Sequence, residues 1–343
     1  MHKHLTWTDR LKIEKGLKEG LKPQAIADRV HVHRSTIYRE LKRGTYLHLN
    51  SDLTTETRYS PEIAQQRYEG NLAAKGAPLK IGNDYALAQY LEKKVAEDGY
   101  SPAAALASIE LEGLEFSTTI STSTFYSYIE KGVFLTLTNA DLPEKSKRKQ
   151  AYRTVKTTKR APSGDSIEKR PAEVDTRETF GNWEMDTVYS RKNSSRKALL
   201  VLTERKTRMP IMELLPDRTL ESVHKALNRL ERRFGARRFR AIFQTITVDN
   251  GGEFADVELL EQSALCKGKR TKIYYCHPYS SYERGSNENE NRMIRRRHPK
   301  GTDFGEVTAA EIKETEAWIG NYPRKLLGWK TSAMLFQECL ATL

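Results

Sequence analysis

The chain has 343 residues, 38% of them apolar and 30% charged, enough for two or three modest cores and too polar for one tightly packed enzyme domain. Lys and Arg outnumber Asp and Glu by 58 to 45, a formal net charge of +13, and such an excess favours a polyanionic partner through counterion release, nucleic acid being the usual one. No apolar run approaches 18 residues and no apolar leader opens the chain, so neither a membrane span nor a cleaved signal is expected. The three cysteines lack any CxxC pair, which argues against a disulfide framework and a zinc site and fits a reducing cytoplasm.

Residues 5–43 read as three short helices. The first opens at Thr8-Asp9-Arg10, has Leu11, Ile13 and Leu17 as its apolar or stem positions, and ends at Gly20. The second opens on Pro23 and runs to Val30. His31-Val32-His33 forms a tight turn; Ser35 then caps a third helix over 36–43, stopped by Gly44. Ile26, Ala27 and Val30 are spaced to pack on Ile37 and Leu41. This is a helix-turn-helix pattern, whose third helix lies in the major groove of double-stranded DNA. Arg34, Ser35, Thr36, Tyr38 and Arg39 are its outward, DNA-facing residues. A plain three-helix bundle is the bland alternative; small Ala27, the short turn and the basic third helix speak against it.

Parts of this text recur. Tyr59-Ser60-Pro61 returns as Tyr100-Ser101-Pro102, and Ser35-Thr36-Ile37-Tyr38 as Ser123-Thr124-Phe125-Tyr126. A second helix-turn-helix is expected over 102–109 and 123–131, after a helix over 84–98. Only Glu130 and Lys131 charge its last helix, which suits weak DNA contact or a role in dimerisation. Residues 144–170 hold ten Lys or Arg, three acids and no hydrophobic period, the composition of a basic tether. The expected divisions are a helix-turn-helix domain over 1–48, a second helical module over 58–132, a basic linker over 133–175 and a catalytic core over 176–343.

The core opens with three strands, 183–188, 197–203 and 209–215. Asp217-Arg218-Thr219 caps a helix running to 234 with Val223, Ala226, Leu227 and Leu230 at helical spacing. A strand over 241–248 ends at Asp249, followed by a helix near 253–263, a strand over 272–275 and a helix over 287–297. This order indicates an α/β fold: a mixed sheet that begins as an antiparallel meander, flanked by helices.

Three acids stand at ends of these elements: Asp186 in the first strand, Asp249 after the fourth, and Glu288 at the start of the last helix. Crowded carboxylates repel unless a cation neutralises them. Mg²⁺ prefers hard oxygens and keeps waters, with Mn²⁺ as a substitute. Two ions in such a site can activate an attacking oxygen and stabilise a leaving one in displacement at a phosphodiester. Glu184 shares the strand face of Asp186 and is either a fourth acid in the site or a supporting group behind it; Asn250 and Glu253, one and four residues after Asp249, are supporting groups at the same place. Taken singly, a surface acid is more often merely solvated.

At these residues the chain resembles the insertion sequence thirty family of bacterial transposases, enzymes with an Asp-Asp-Glu (DDE) site on a ribonuclease-H-like integrase core. The resembling text is Gly181-Asn182-Trp183-Glu184-Met185-Asp186, Asp249-Asn250-Gly251-Gly252-Glu253-Phe254, and Glu283-Arg284-Gly285-Ser286-Asn287-Glu288-Asn289-Glu290-Asn291. It continues in Pro299-Lys300-Gly301-Thr302-Asp303-Phe304, in Asn321-Tyr322-Pro323-Arg324, and in Ser35-Thr36-Ile37-Tyr38-Arg39-Glu40-Leu41 near the start. The resemblance implies Mg²⁺-dependent cleavage and strand transfer at terminal inverted repeats, insertion into target DNA, no covalent enzyme intermediate, and action as a dimer or larger homo-oligomer in the bacterial cytoplasm, at the nucleoid. It implies Asp186, Asp249 and Glu288 as catalytic metal ligands.

The family's usual spacing of 33 residues after the second aspartate lands on Glu283. Its glutamate, however, lies within Asn-Glu-Asn, here Glu288, and an apparent basic insertion around 264–272 accounts for the difference. A basic residue often follows that glutamate by seven, and Arg295 stands there; with Arg292 it is expected to hold DNA phosphate. Glu283 is then left to pair with Arg284 or face solvent. Asn182 stands where the family often has His. Two other readings compete: a DNA-binding regulator with an inactive core, which loss of an acid would favour, and a phage or plasmid nuclease that cuts without joining.

Overall fold

Residues 4–74, 79–142, 164–190, 194–277 and 281–343 are described by a computed structural model. Residues 143–163, the greater part of the expected basic tether, lie outside them. Packing divides the chain into two units, Met1–Gly82 and Asn83–Leu343.

In the first unit, α1 (Trp7–Lys18) is capped by Thr6, two residues earlier than expected, in a reciprocal box with Asp9. Pro23 opens α2 (Pro23–Val30), and His31 ends it in the left-handed region at φ 58°. The third helix, α3 (Arg34–Gly44), is capped not by Ser35 but by His33, whose Nδ1 accepts the Ser35 amide at 3.2 Å. Ile13, Ile26, Ala27, Val30 and Ile37 form the expected core, with Leu41 against it. The sequence reading missed the antiparallel hairpin of β1 (Thr45–Leu49) and β2 (Thr55–Tyr59), and the helix α4 (Pro61–Ala73). Leu47 and Leu49 in the hairpin are exposed, so alternation there carries no burial signal. Buried Arg10 holds α4 to the helices: it meets Glu40 of α3 at 2.6 Å and Gln65 of α4 at 2.5 Å. The compact unit thus runs past the expected boundary at 48.

The second unit begins with α5 (Tyr85–Glu92), which continues as a π turn through Glu97, then α6 (Pro102–Leu111) and α7 (Thr122–Glu130). Ser60 and Ser101 cap their helices alike, each before a proline, so the repeat is real at that level. The connection over 112–121 is longer than the three-residue turn at 31–33, and Ser121 caps α7. This module packs on the rest of the unit: Trp318 Nε1 donates to the Asp98 carbonyl at 2.7 Å, and the Ser101 amide donates to Tyr322 Oη at 2.9 Å.

After the short helix α8 (Glu173–Thr176) come β3 (Asn182–Tyr189), β4 (Ala198–Glu204) and β5 (Pro210–Leu215), the antiparallel meander. Next are α9 (Leu220–Phe234) and α10 (Ala236–Ile242); α10 takes the first two residues of the expected strand 241–248, whose second half is β6 (Thr245–Val248). A single turn at Gly252–Phe254 and α11 (Val257–Glu261) replace the expected helix over 253–263. Then follow β7 (Lys272–Tyr275), α12 (Gly285–Arg297), α13 (Ala309–Gly320) and α14 (Ser332–Ala341). The sheet order is β5-β4-β3-β6-β7, with β6 and β7 parallel to β3. One face carries Trp183, Met185, Leu200 and Leu202 into a core with Val223, Leu227 and Leu230 of α9 and Phe336 of α14. Edge strand β5 is protected: Met212 gives its amide to Glu316 and accepts from Lys313, both on α13.

Candidate active site

The β3–β6 register sets the site. Glu184 is paired with Thr247 in parallel, so Asp186 and Asp249, each two residues further on, stand level on adjacent strands at the rim of the sheet. Strands in a ladder lie roughly 4.8 Å apart. Asp249 ends its strand in a turn in which its Oδ1 accepts the Gly251 amide at 2.9 Å. The turn is close to both carboxylates at Gly251: a Cβ there would stand 2.6 Å from Glu253 Oε2 and 2.9 Å from Asp249 Oδ1 and would force them to shift.

One guanidinium serves both aspartates. Arg284 Nη1 lies 3.3 Å from Asp186 Oδ1, and its Nη2 lies 3.1 Å from Asp249 Oδ2. Burial opposes the Arg284 charge, yet Asp186 and Asp249 outweigh it and hold the group above the ordinary arginine range. The pairing of Glu283 with Arg284 allowed above does not occur. Glu283 instead accepts the His277 amide at 2.9 Å and meets His277 Nδ1 at 2.7 Å. These contacts raise the His277 pKa. Cys276, beside it, is buried and its thiol is pushed up to about 12, a poor metal ligand or nucleophile at neutral pH.

Glu288 is exposed on the first turn of α12. One turn along, Asn291 Nδ2 donates to Asp186 Oδ2 at 2.9 Å. Residues three apart share a helix face, so Glu288 belongs to the face that meets Asp186, whereas Glu283 is engaged by His277. Among the described residues no three His, Cys, Asp or Glu side chains gather closely enough to hold an ion. Glu288 therefore does not close a triad with the two aspartates in this arrangement, in which Arg284 fills the space between them.

Glu184 is not a fourth rim acid. It is wholly buried, bound to Arg205 at 2.8 Å, and its Oε2 accepts the Asn287 amide at 2.9 Å. It thereby fixes the start of α12 one residue before Glu288. Asn250 ties the rim to the end of β7 through the Cys276 carbonyl at 3.0 Å, and Glu253 accepts from Thr187 Oγ1 at 2.6 Å. Among the described residues, Asn250 Oδ1, Glu253 Oε2 and Asn291 Oδ1 are buried oxygens without a hydrogen-bond partner. Hard oxygen donors in surplus, with a cation already drawn between two carboxylates, fit a divalent metal.

Arg295 is half-buried and donates to the His298 and Pro299 carbonyls at 3.4 and 3.1 Å, finishing α12; Arg292 is exposed on the same helix. Arg296 and Arg297, the rest of the basic run, stack on Tyr322 and Trp318. In the first unit Arg34, Ser35, Tyr38 and Arg39 are exposed on α3 and Thr36 is half-buried, the outward set expected. Sequence reasoning missed Arg284, Asn291 and the buried pair Glu290–Arg324. Asn291 could have been found from its spacing of three from Glu288; nothing local marked Arg284.

An integrase core domain model matches residues 177–281, and a helix-turn-helix domain model matches 1–44. The transposase for insertion sequence element IS4351 of Bacteroides fragilis is 31% identical over 99% of this chain and 97% of its own length. A probable transposase for the insertion-like sequence element IS1161 of Streptococcus salivarius is 30% identical, over 98% and 95%. Transposase InsI for insertion sequence element IS30A of Escherichia coli K12 is 26% identical, over 98% and 84%. The mixed α/β core is thus a ribonuclease-H-like integrase core behind an N-terminal helix-turn-helix.

Proposed function

Because the chain belongs to the insertion sequence thirty family of transposases, with the integrase core of a DDE polynucleotidyl transferase, we propose that it cleaves DNA at the terminal inverted repeats of its element and joins the freed ends to target DNA. The observation that carries this reading is the pair Asp186 and Asp249, level on adjacent strands with one cation between them. Asp186, Asp249 and Glu288 would hold two Mg²⁺ ions, or Mn²⁺ in their place. Bound there, the ions supply activation of the attacking oxygen and stabilisation of the leaving oxygen.

The chain's own side chains set the stage. Asn291 orients the Asp186 carboxylate, Asn250 holds the loop that carries Asp249, and Glu184 fixes the start of the helix that carries Glu288. Arg292 and Arg295 take DNA phosphate near the reacting strand, where charged hydrogen bonds hold it in position. Arg34, Ser35, Thr36, Tyr38 and Arg39 read the terminal repeat from the major groove. The helices α6 and α7 make a weaker DNA contact or support assembly. The working form is a dimer or larger on two paired ends, in the cytoplasm and on the nucleoid.

The test is the full chain with DNA carrying the element's two ends, a target duplex and Mg²⁺. Cleavage at the ends followed by joining is expected, and EDTA should stop both. Binding without cleavage would support the inactive regulator, and cleavage without joining would support the nuclease.

A further inference from the structure

We propose that Arg284 is a positioning residue that holds Asp186 and Asp249 as a pair and competes with the divalent metal for their oxygens. The inference rests on the reading that these aspartates hold the metal. Two carboxylates level on neighbouring strands repel each other. Arg284, itself 15% exposed, offsets that repulsion with one nitrogen on each, at 3.3 and 3.1 Å. Its Nη1 also reaches the Met185 carbonyl at 3.5 Å, so the guanidinium lies in the gap between β3 and the end of β6.

A metal ion would occupy that gap differently. Mg²⁺ needs oxygens at roughly 2.0–2.1 Å in near-octahedral array, and a guanidinium on the same Oδ1 and Oδ2 atoms fills that approach and adds like charge. The two cations therefore exclude each other. The backbone has little room to yield, because Glu283 is tied to His277 on one side and the Asn287 amide to Glu184 on the other. What moves is the long Arg284 side chain. Before metal arrives, Arg284 keeps the two aspartates aligned; on arrival it gives way, and its departure weakens the apparent metal affinity.

Mn²⁺ titration of the full chain without DNA, read by the electron paramagnetic resonance signal of free Mn²⁺, tests this. Arg284→Ala should bind Mn²⁺ about tenfold more tightly, the scale of one modest charge contact. Arg284→Lys, which keeps the charge but not the fork, should fall between. Without metal, Arg284→Ala should melt below the wild type, and Mn²⁺ should raise its melting temperature by more. A purely structural arginine would lower or leave unchanged the Mn²⁺ affinity when removed, and that result overturns the proposal. If the alanine variant does not fold, the lysine variant decides: an affinity equal to or below wild type overturns it. Asp186→Asn separates the two layers of the claim. Loss of Mn²⁺ binding in Asp186→Asn with no change in Arg284→Ala overturns only the role of Arg284. Absence of Mn²⁺ binding in every form overturns the metal reading as well.

Discussion

Two sets of acids in this core do opposite work. Glu184 and Glu290 sit beneath the rim, wholly buried, and each has its own arginine: Arg205 at 2.8 Å, and Arg324 in a two-pronged contact at 2.5 and 3.1 Å. Asp186 and Asp249 stand at the rim, 21% and 41% exposed, and share one guanidinium. The buried layer is charge-matched and holds β3 and α12 in place. The rim is short of cations and open to solvent, which is what a metal-dependent site requires. Two positions along one strand face separate Glu184 from Asp186, so depth and pairing, not face, assign the roles.

The contrast fails if rim and buried acids respond alike to substitution. The largest expected effect is on chemistry at the rim. Asp186→Asn or Asp249→Asn should lower strand cleavage by about 10³-fold or more, the scale of several kcal/mol of lost metal-borne stabilisation. Binding to end DNA and the unfolding midpoint should change little.

Below the rim the order reverses. Arg324→Ala leaves the Glu290 charge buried and unpaired, and should cost about 3–5 kcal/mol in denaturant unfolding. Burial already pushes the Glu290 carboxyl upward against the pull of Arg324, so partial rescue by the added change Glu290→Gln is expected.

A smaller effect is expected far from either layer. Arg39→Ala on exposed α3 should cost about 1–3 kcal/mol of discrimination between the terminal repeat and scrambled DNA, measured by binding competition. Strand cleavage of DNA already bound should be preserved.

The smallest effect is a pH dependence. Glu283 holds the His277 pKa above its ordinary value. That contribution to stability is present in full below the ordinary histidine value and fades as pH rises through the raised one. Melting temperatures from about pH 6 to about pH 8 should therefore fall slightly more in the wild type than in Glu283→Gln.

Much of this was legible in the chain. Strand β7 matched its expected bounds, and the meander, α9 and the helix-turn-helix core were placed within a residue or two, because burial there follows the period of each element. The hairpin was not legible, since Leu47 and Leu49 face solvent. Nor was α10, where Phe239 and Ile242 run into the apolar strand that follows. Asp186 and Asp249 stood out as candidates because each ends or interrupts a buried strand. Arg284 was not, because its partners lie 98 and 35 positions away in sequence and only the parallel β3–β6 pairing brings them level. The assignment of Glu184 needed Arg205, another distant partner, to be seen.

Strand cleavage by Glu288→Gln and Glu283→Gln, compared on the same end DNA in Mg²⁺, bears most directly on the site. Glu288 lies on the helix face that reaches Asp186 through Asn291, and Glu283 is spent on His277. The expected result is loss of cleavage in Glu288→Gln with near-normal activity in Glu283→Gln. Full activity in Glu288→Gln with loss in Glu283→Gln would contradict the triad of Asp186, Asp249 and Glu288.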